Sequence, residues 1–480
     1  MGKLSHLAPR DVFGYFEELT QIPHGSGDME KISRFCLDFA EKHGLEAYRD
    51  EADNVVIKKP ASEGYENAET VILQGHLDMV CQKTEDSDID FAKDGLDVFT
   101  DGDFIHANGT TLGADNGIAV AMIMAILADK TLSHPSIEAV FTTDEEIGMV
   151  GALALDMSRL NGKKMINIDS EESGVVTVSC AGGSDFYAVI PLQRKKYTGK
   201  SVTLSIKGLK GGHSGVEINS GRMNANILMG RFLRHLSNVC RFDIVSVDGG
   251  DKGNAIPVMS KAVLVSDDTD MLLFEAESYA KSLKNELKSL EPDFYCETAV
   301  SDVQEFDVIE PHIRKKIINT LALAPNGVIQ MSAEIENLVE TSLNMGVFKT
   351  GSDEINILFA LRSNKKSGLE FLEASLGEFF ETMDCKTKTG GHYPPWEYKN
   401  DSVLRDLFVN LYKEKTGKDA SVEAIHAGLE CGVFASAIPE LDCISVGPDM
   451  YGIHTVEEKL SISAVTELYE IICRMLKNLK

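Results

Sequence analysis

The pattern of apolar runs changes character twice along the 480 residues, and this limits the fold more than any single motif. Residues 9–20 and 28–43 have helical spacing, and short apolar runs follow at Asn54-Val55-Val56-Ile57 and Thr70-Val71-Ile72-Leu73. A buried helix is predicted over 116–129 (NGIAVAMIMAILAD), with strands over 136–142 and 164–168. Helices alternating with wholly apolar strands read as an α/β layer around a mostly parallel sheet. After Ala181-Gly182-Gly183 the alternation stops. Residues 186–305 read as strands such as SVTLSIKGL, FDIVSVDGG, AVLVSD and FYCETAVSD, with helices over 223–236 and 270–290. Residues 308–389 repeat that mixture in IENLVETSLNMG, EINILFALRS and LEFLEASLGEFFETM. After GGHYPPW (390–396) helix–strand alternation resumes, with a helix at 402–415, strands near 421–425 and 442–446, and a helix at 461–478. The economical arrangement is a discontinuous α/β domain formed by 1–185 and 390–480. Residues 186–389 form an inserted α+β domain that is long enough for two small units, although no sequence repeat links its halves.

A net charge of −28 argues against nucleic acid or an anionic membrane as partner. Nine scattered cysteines without a CxxC pair fit reduced thiols better than a disulfide framework. The N-terminal stretch has no apolar core followed by a cleavage site, and no run of about 18 apolar residues occurs. His6 stands where a myristoylation motif has Ser or Thr. The expectation is a cytoplasmic protein.

Five segments place acidic or histidine side chains at the end of an apolar strand or beside a glycine turn. They are Gly75-His76-Leu77-Asp78, Leu112-Gly113-Ala114-Asp115-Asn116, Thr143-Asp144-Glu145-Glu146, Ile168-Asp169-Ser170-Glu171-Glu172 and Tyr451-Gly452-Ile453-His454. Singly, each has a plain structural explanation. A histidine after a strand is usually just hydrogen-bonded, Asp115 could be a helix cap, Glu145-Glu146 a solvated corner, and Asp169 a helix start. Jointly they are harder to explain that way. In open α/β sheets ligands bind at the carboxyl ends of the strands, which would gather these groups into one crevice. Carboxylates and imidazoles brought together there need a cation, and two histidines with several carboxylates suit zinc, cobalt or manganese.

The segments GHLDMV, LGADNG, TTDEEIGMVGA, NIDSEE, GGHSG and GIHT, in this order, resemble the sequential motifs of the M20 metallopeptidases along nearly the whole chain. The wording GHLDMVCQK, GADNGIA, TTDEEIGM, HAGLECG and GPDMYGIHT is most similar to the aminoacyl-histidine (Xaa-His) dipeptidases of that family. The resemblance implies two divalent ions, zinc with cobalt or manganese as alternatives. His76 and Asp169 would hold one, Glu146 and His454 the other, and Asp115 would bridge both. It makes Asp78 the orienter of the His76 imidazole, Glu145 the general base and acid acting on a metal-bridged water, and Asp115-Asn116 a cis peptide. From the inserted lid it implies that His213 stabilises the oxyanion and that Asn254 and Arg362 hold the substrate carboxylate. Gly428 and Glu430 would line the pocket near the substrate amine, while His426 is structural. The implied activity is hydrolysis of dipeptides, Xaa-His and β-alanyl-histidine among them. A homodimer is compatible with this, and His213 is expected to serve the metals of its own chain.

Three rival readings compete with this one. A serine hydrolase fails because Gly212-His213-Ser214-Gly215-Val216 misses the last glycine of a G-x-S-x-G elbow. A catalytically dead binding protein would have lost a ligand or the base, and none is missing. An N-acyl amino acid hydrolase or carboxypeptidase of the same family stays open as the alternative.

Overall fold

The computed structural model describes residues 2–480, which divide into two compact units. The first comprises residues up to Cys180 together with Tyr398–Ala424 and Leu429–Lys480; the second comprises Ala181–Glu397 and Ile425–Gly428. No described helix is long and apolar enough to cross a membrane, and no disulfide joins the nine cysteines, all of which are described.

The first unit is a mixed α/β layer. Its eight-stranded sheet runs in the order Glu46–Arg49, Val55–Lys59, Ile137–Thr142, Val71–His76, Lys164–Asn167, Asp442–Ser445, Val175–Cys180, Ser421–Ile425. The four central strands, from Ile137–Thr142 to Asp442–Ser445, are parallel. Every residue of Val71–His76 and Ile137–Thr142 is buried, as expected of strands covered on both faces. Helix Ala114–Ala128 is apolar on all sides and buried along nearly its whole length, which only a position inside the core permits. The strand ends are in step, with His76 opposite Thr142 and Gln74 and Ser445 both opposite Asn167. The residues that follow these strands therefore emerge at one edge. A separate four-stranded sheet, unforeseen in the sequence, orders Met450–Tyr451, Lys459–Ser461, Phe104–Ala107 and Val98–Asp101. His454 lies in the turn between its first two strands.

The second unit is built on a nine-stranded sheet whose pairings are antiparallel. Its main path runs Tyr295–Val300, Ser201–Lys207, Ser260–Val265, Asp243–Gly249, Val339–Thr350, Glu354–Ser363, Gly182–Pro191, Lys386–Tyr393. The stretches 186–305 and 308–389 do not separate into two sheets. Gly182–Pro191 opens the first stretch in sequence, yet it lies between two strands of the second. One large apolar core, from Phe186 through Phe232 and Phe348 to Phe380, spans the sheet, and a small cluster of Ile218, Ile256 and Val339 lies apart from it.

Candidate active site

At the carboxyl edge of the parallel strands the first unit gathers His76, Asp78, Asp115, Glu145, Glu146, Asp169 and His454. His76 ends its strand and points its Nδ1–H at the Asp78 carbonyl oxygen, 2.9 Å away. That bond fixes the tautomer and turns Nε2 toward Asp115 Oδ1 at 3.1 Å and Asp169 Oδ1 at 3.5 Å. His454 Nε2 lies 3.2 Å from Asp115 Oδ2 and 2.8 Å from Glu146 Oε1. Asp115 thus offers one oxygen to each imidazole. Donor atoms of His76, Asp115 and Glu146 all fall within 4.8 Å of one another.

Asp78 faces the His76 imidazole and has a second set of partners besides. Its carboxylate lies 3.5 Å from His76 Nδ1, while its backbone carbonyl makes the short bond. The carboxylate oxygens also accept from the backbone N–H groups of Glu145 (2.9 Å) and Glu146 (3.2 Å) and from Ser26 Oγ (2.8 Å). Asp78 therefore pins the Glu145-Glu146 turn as well as pairing with the imidazole. Asn116 fastens a second pair of elements. Its Oδ1 accepts from the His76 N–H (3.1 Å) and its Nδ2 donates to the Ile168 carbonyl (2.7 Å), beside Asp169. The Asp115-Asn116 peptide is cis. Gly75 is required here, because a Cβ would lie 2.5 Å from Asn116 Oδ1.

Asp115 is not a helix cap, since no side chain caps from position 113 and the four N–H groups of Leu112, Gly113, Ala114 and Asp115 go to the Glu458 carboxylate. Glu458 and the buried Gln74 escaped the sequence reading. Gln74 had a signal, being an amide inside an otherwise apolar strand. Glu457-Glu458 reads as an ordinary solvated pair. Glu430 is buried beneath the edge, where its Oε2 accepts from Gln74 Nε2 (2.5 Å) and Thr142 Oγ1 (2.7 Å).

The electrostatics reflect crowded carboxylates. Burial pushes Glu145 up to about 9, with Asp169, Glu430 and Glu146 adding to the rise against the pull of His76. Burial likewise lifts Asp169 to about 6 and Glu430 to about 7. His454 is raised to about 10 by its bonds to Asp115 and Glu146. Burial would depress His76, but Asp169 and Asp115 outweigh it and hold the imidazole well above its ordinary value. Among the described residues, these two histidines are the only ion-pair partners of Asp78, Asp115, Glu146 and Asp169; no lysine or arginine pairs with them. Two imidazoles and several carboxylates held without another counter-ion fit divalent cations.

The second unit brings His213, Asn254 and Arg362 into one neighbourhood. Strand Gly212–His213 pairs with Ala255–Ile256, and the Ser214 N–H donates to the Asn254 carbonyl at 2.8 Å. His213 Nδ1 accepts from the Gly215 and Val216 N–H groups at 3.2 and 3.3 Å, which leaves Nε2–H free to donate. Gly215 separates His213 from Arg362, since a Cβ there would lie 3.0 Å from His213 Cε1 and 3.1 Å from Arg362 Nε. Arg362 Nη1 donates to the Tyr393 hydroxyl (2.9 Å), while its buried Nε has no hydrogen-bond partner. Gly428 ends the segment Ile425–Gly428 of this unit. His426 in that segment is buried between Ser342 Oγ (2.7 Å) and Asn364 Oδ1 (3.1 Å).

The profile of Peptidase family M20/M25/M40 matches residues 72–478. The chain is 36% identical to the cytosol non-specific dipeptidase of Escherichia coli (strain K12), over 100% of this chain and 99% of that one. It matches the crystal structure of aminoacylhistidine dipeptidase from Vibrio alginolyticus at a TM-score of 0.93 and 37% identity, covering 99% and 98% of the two chains. Aminopeptidase PepT from Bacillus cereus ATCC 10987 shares the fold at a TM-score of 0.57 and 16% identity, over 98% and 99%. By the extent of these matches the chain belongs to peptidase family M20/M25/M40, as a metal-dependent peptide hydrolase.

Proposed function

We propose that this chain is a two-metal dipeptidase acting on unblocked dipeptides. The observation that carries this is the pair of clusters sharing Asp115, one with His76 and Asp169 and the other with His454 and Glu146, whose ion-pair partners include no lysine or arginine. We assign one divalent ion to each cluster, zinc first and cobalt or manganese as alternatives. Bound there, the ions supply Lewis acidity and lower the pKa of water. Their positive charge would also bring Glu145 down from about 9, so that it can act as a base near neutrality. Glu145 then accepts a proton from the attacking water and returns it to the leaving amine. Asp78 keeps Glu145 and Glu146 aimed in different directions by holding both of their N–H groups.

The second unit is assigned the part of a substrate-binding lid. His213 Nε2–H and the Arg362 guanidinium are donors that suit an anionic oxygen, and Asn254 joins them. Gly428 is assigned to substrate binding in the second unit, while the buried Glu430 supports the sheet edge through Gln74 and Thr142. The two long-range relatives carry different substrate labels, one non-specific and one aminoacylhistidine. Xaa-His dipeptides therefore fall within the proposed range without bounding it, and a cytoplasmic location follows the first relative.

A panel of dipeptides, including Xaa-His and β-alanyl-histidine, set beside N-acyl amino acids tests the reading. The expected result is dipeptide cleavage that chelation abolishes and a divalent transition ion restores. Full turnover in rigorously stripped protein, or cleavage of N-acyl amino acids alone, would sink it.

A further inference from the structure

We infer that Glu458 is a positioning residue that ties the turn carrying His454 to the helix start carrying Asp115, and so sets the spacing of the shared metal-binding carboxylate. This rests on the metal reading proposed above. Glu458 is 3% exposed. Its Oε2 accepts from the N–H groups of Leu112 (2.6 Å) and Gly113 (3.1 Å), and its Oε1 from those of Ala114 (2.8 Å) and Asp115 (3.4 Å). Gly113 adopts the left-handed conformation, with φ 68°, that lets successive N–H groups converge in this way on an anion.

Those donors are the unpaired N–H groups at the start of a buried helix, and something must accept from them. Glu458 takes them, and both Asp115 oxygens face imidazoles, Oδ1 at 3.1 Å from His76 and Oδ2 at 3.2 Å from His454. Glu458 is also fastened to His454. The turn between them is closed by Thr455 N–H to the Gly452 carbonyl (3.1 Å) and Glu458 N–H to the Thr455 carbonyl (3.2 Å). One carboxylate therefore fixes two ligand-bearing segments, Leu112–Asp115 and Gly452–Glu458, against each other.

Glu138 provides the control. It too is a buried glutamate that accepts from backbone N–H groups, those of Asn161 (2.8 Å) and Gly162 (3.0 Å). It sits near the amino end of strand Ile137–Thr142, away from the metal cluster, and pairs with Lys58 at 3.2 Å. The test uses the full chain stripped of metal and titrated with Co²⁺, read by calorimetry and by the visible spectrum of the bound ion. Glu458→Gln puts an amide N–H where an N–H acceptor is needed. It should weaken Co²⁺ binding about 10- to 100-fold and shift the spectrum. Glu458→Asp should fall between Gln and wild type, and Glu138→Gln should leave both readouts unchanged even if it melts earlier. Wild-type affinity and spectrum in Glu458→Gln would overturn the inference alone, as would equal weakening in Glu138→Gln. No Co²⁺ binding by wild type would overturn the metal reading and this inference with it. If Glu458→Gln does not fold, Glu458→Asp decides on the same two readouts, and an unchanged result there overturns it.

Discussion

In the first unit His76 and His454 face carboxylates, and both are held above the ordinary histidine value. In the second unit His426 and His213 are pushed the opposite way. Burial is the main cause for both, the charge of Arg362 adds to it, and His426 falls to about 3. One side chain is therefore used in two senses. At the sheet edge the imidazoles carry the positive charge that the carboxylates demand, which is the place a metal takes when it binds and displaces protons. In the second unit the imidazoles are neutral and oriented, and the positive charge belongs to Arg362. The first region is shaped around cations and the second around an anion. Each of the following experiments presses on one side of that contrast.

The largest effect is expected at Glu145. Glu145→Gln keeps the shape of the side chain and leaves the five proposed ligands in place, but an amide cannot accept the proton of water. Turnover should fall about 10²–10⁴-fold, or further if one group serves both proton transfers. Divalent ion content, measured by elemental analysis, should match wild type. A near-normal kcat would break the distinction drawn between Glu145 and its neighbour Glu146.

Much of this edge was legible before any coordinates. Apolar runs ending in His76, Asp169 and the Glu145-Glu146 pair state where parallel strands stop, and the in-step register then brings those ends together. The supporting contacts were not legible, because they depend on which backbone groups a fold leaves unpaired. Glu458 looks like any solvated glutamate until the N–H groups of 112–115 are seen to converge on it. Asp78 was read as an imidazole partner, and it pairs with His76, but its hold on the 145–146 turn was not foreseen. In the second unit local patterns gave strands and helices but not their order. The insertion of Gly182–Pro191 between Glu354–Ser363 and Lys386–Tyr393 is a long-range pairing that no local run of residues encodes.

A smaller effect is expected at the anion side. If Arg362 receives the substrate carboxylate, wild type should prefer a free dipeptide over its C-terminal amide. Arg362→Ala should lose about 10- to 100-fold in kcat/KM on the free dipeptide, the range for a hydrogen bond to a charged group. The variant should also treat free and amidated substrates alike. Retained discrimination would mean that the carboxylate is recognised elsewhere, and that the unpartnered Nε of Arg362 has another use.

The smallest effect concerns His426 and is a stability effect. Its Nδ1–H donates to Asn364 Oδ1 and its Nε2 accepts from Ser342 Oγ, so the neutral ring is fully paired inside the unit. Its pKa is lowered from 6.5 to about 3 in the folded protein. Between those values the unfolded chain binds the proton that the folded chain refuses, so stability rises with pH across the window. The contribution of the neutral ring is complete above the unfolded value and is progressively lost as pH falls below it. At pH 5.5, one unit below that value, the loss should be about 1.4 kcal/mol, a tenfold change in the unfolding equilibrium. The single tryptophan, Trp396, is buried in the second unit and reports on it locally. Urea unfolding followed by its fluorescence should show a wild-type stability difference between pH 7.5 and 5.5 that exceeds that of His426→Gln by about this amount. Gln can still donate and accept but does not titrate, so subtracting the variant removes the contribution of every other group that titrates in both proteins. Equal pH dependence in the two proteins would mean that His426 accepts a proton while folded, and the contrast between the histidines of the two units would fail on that side.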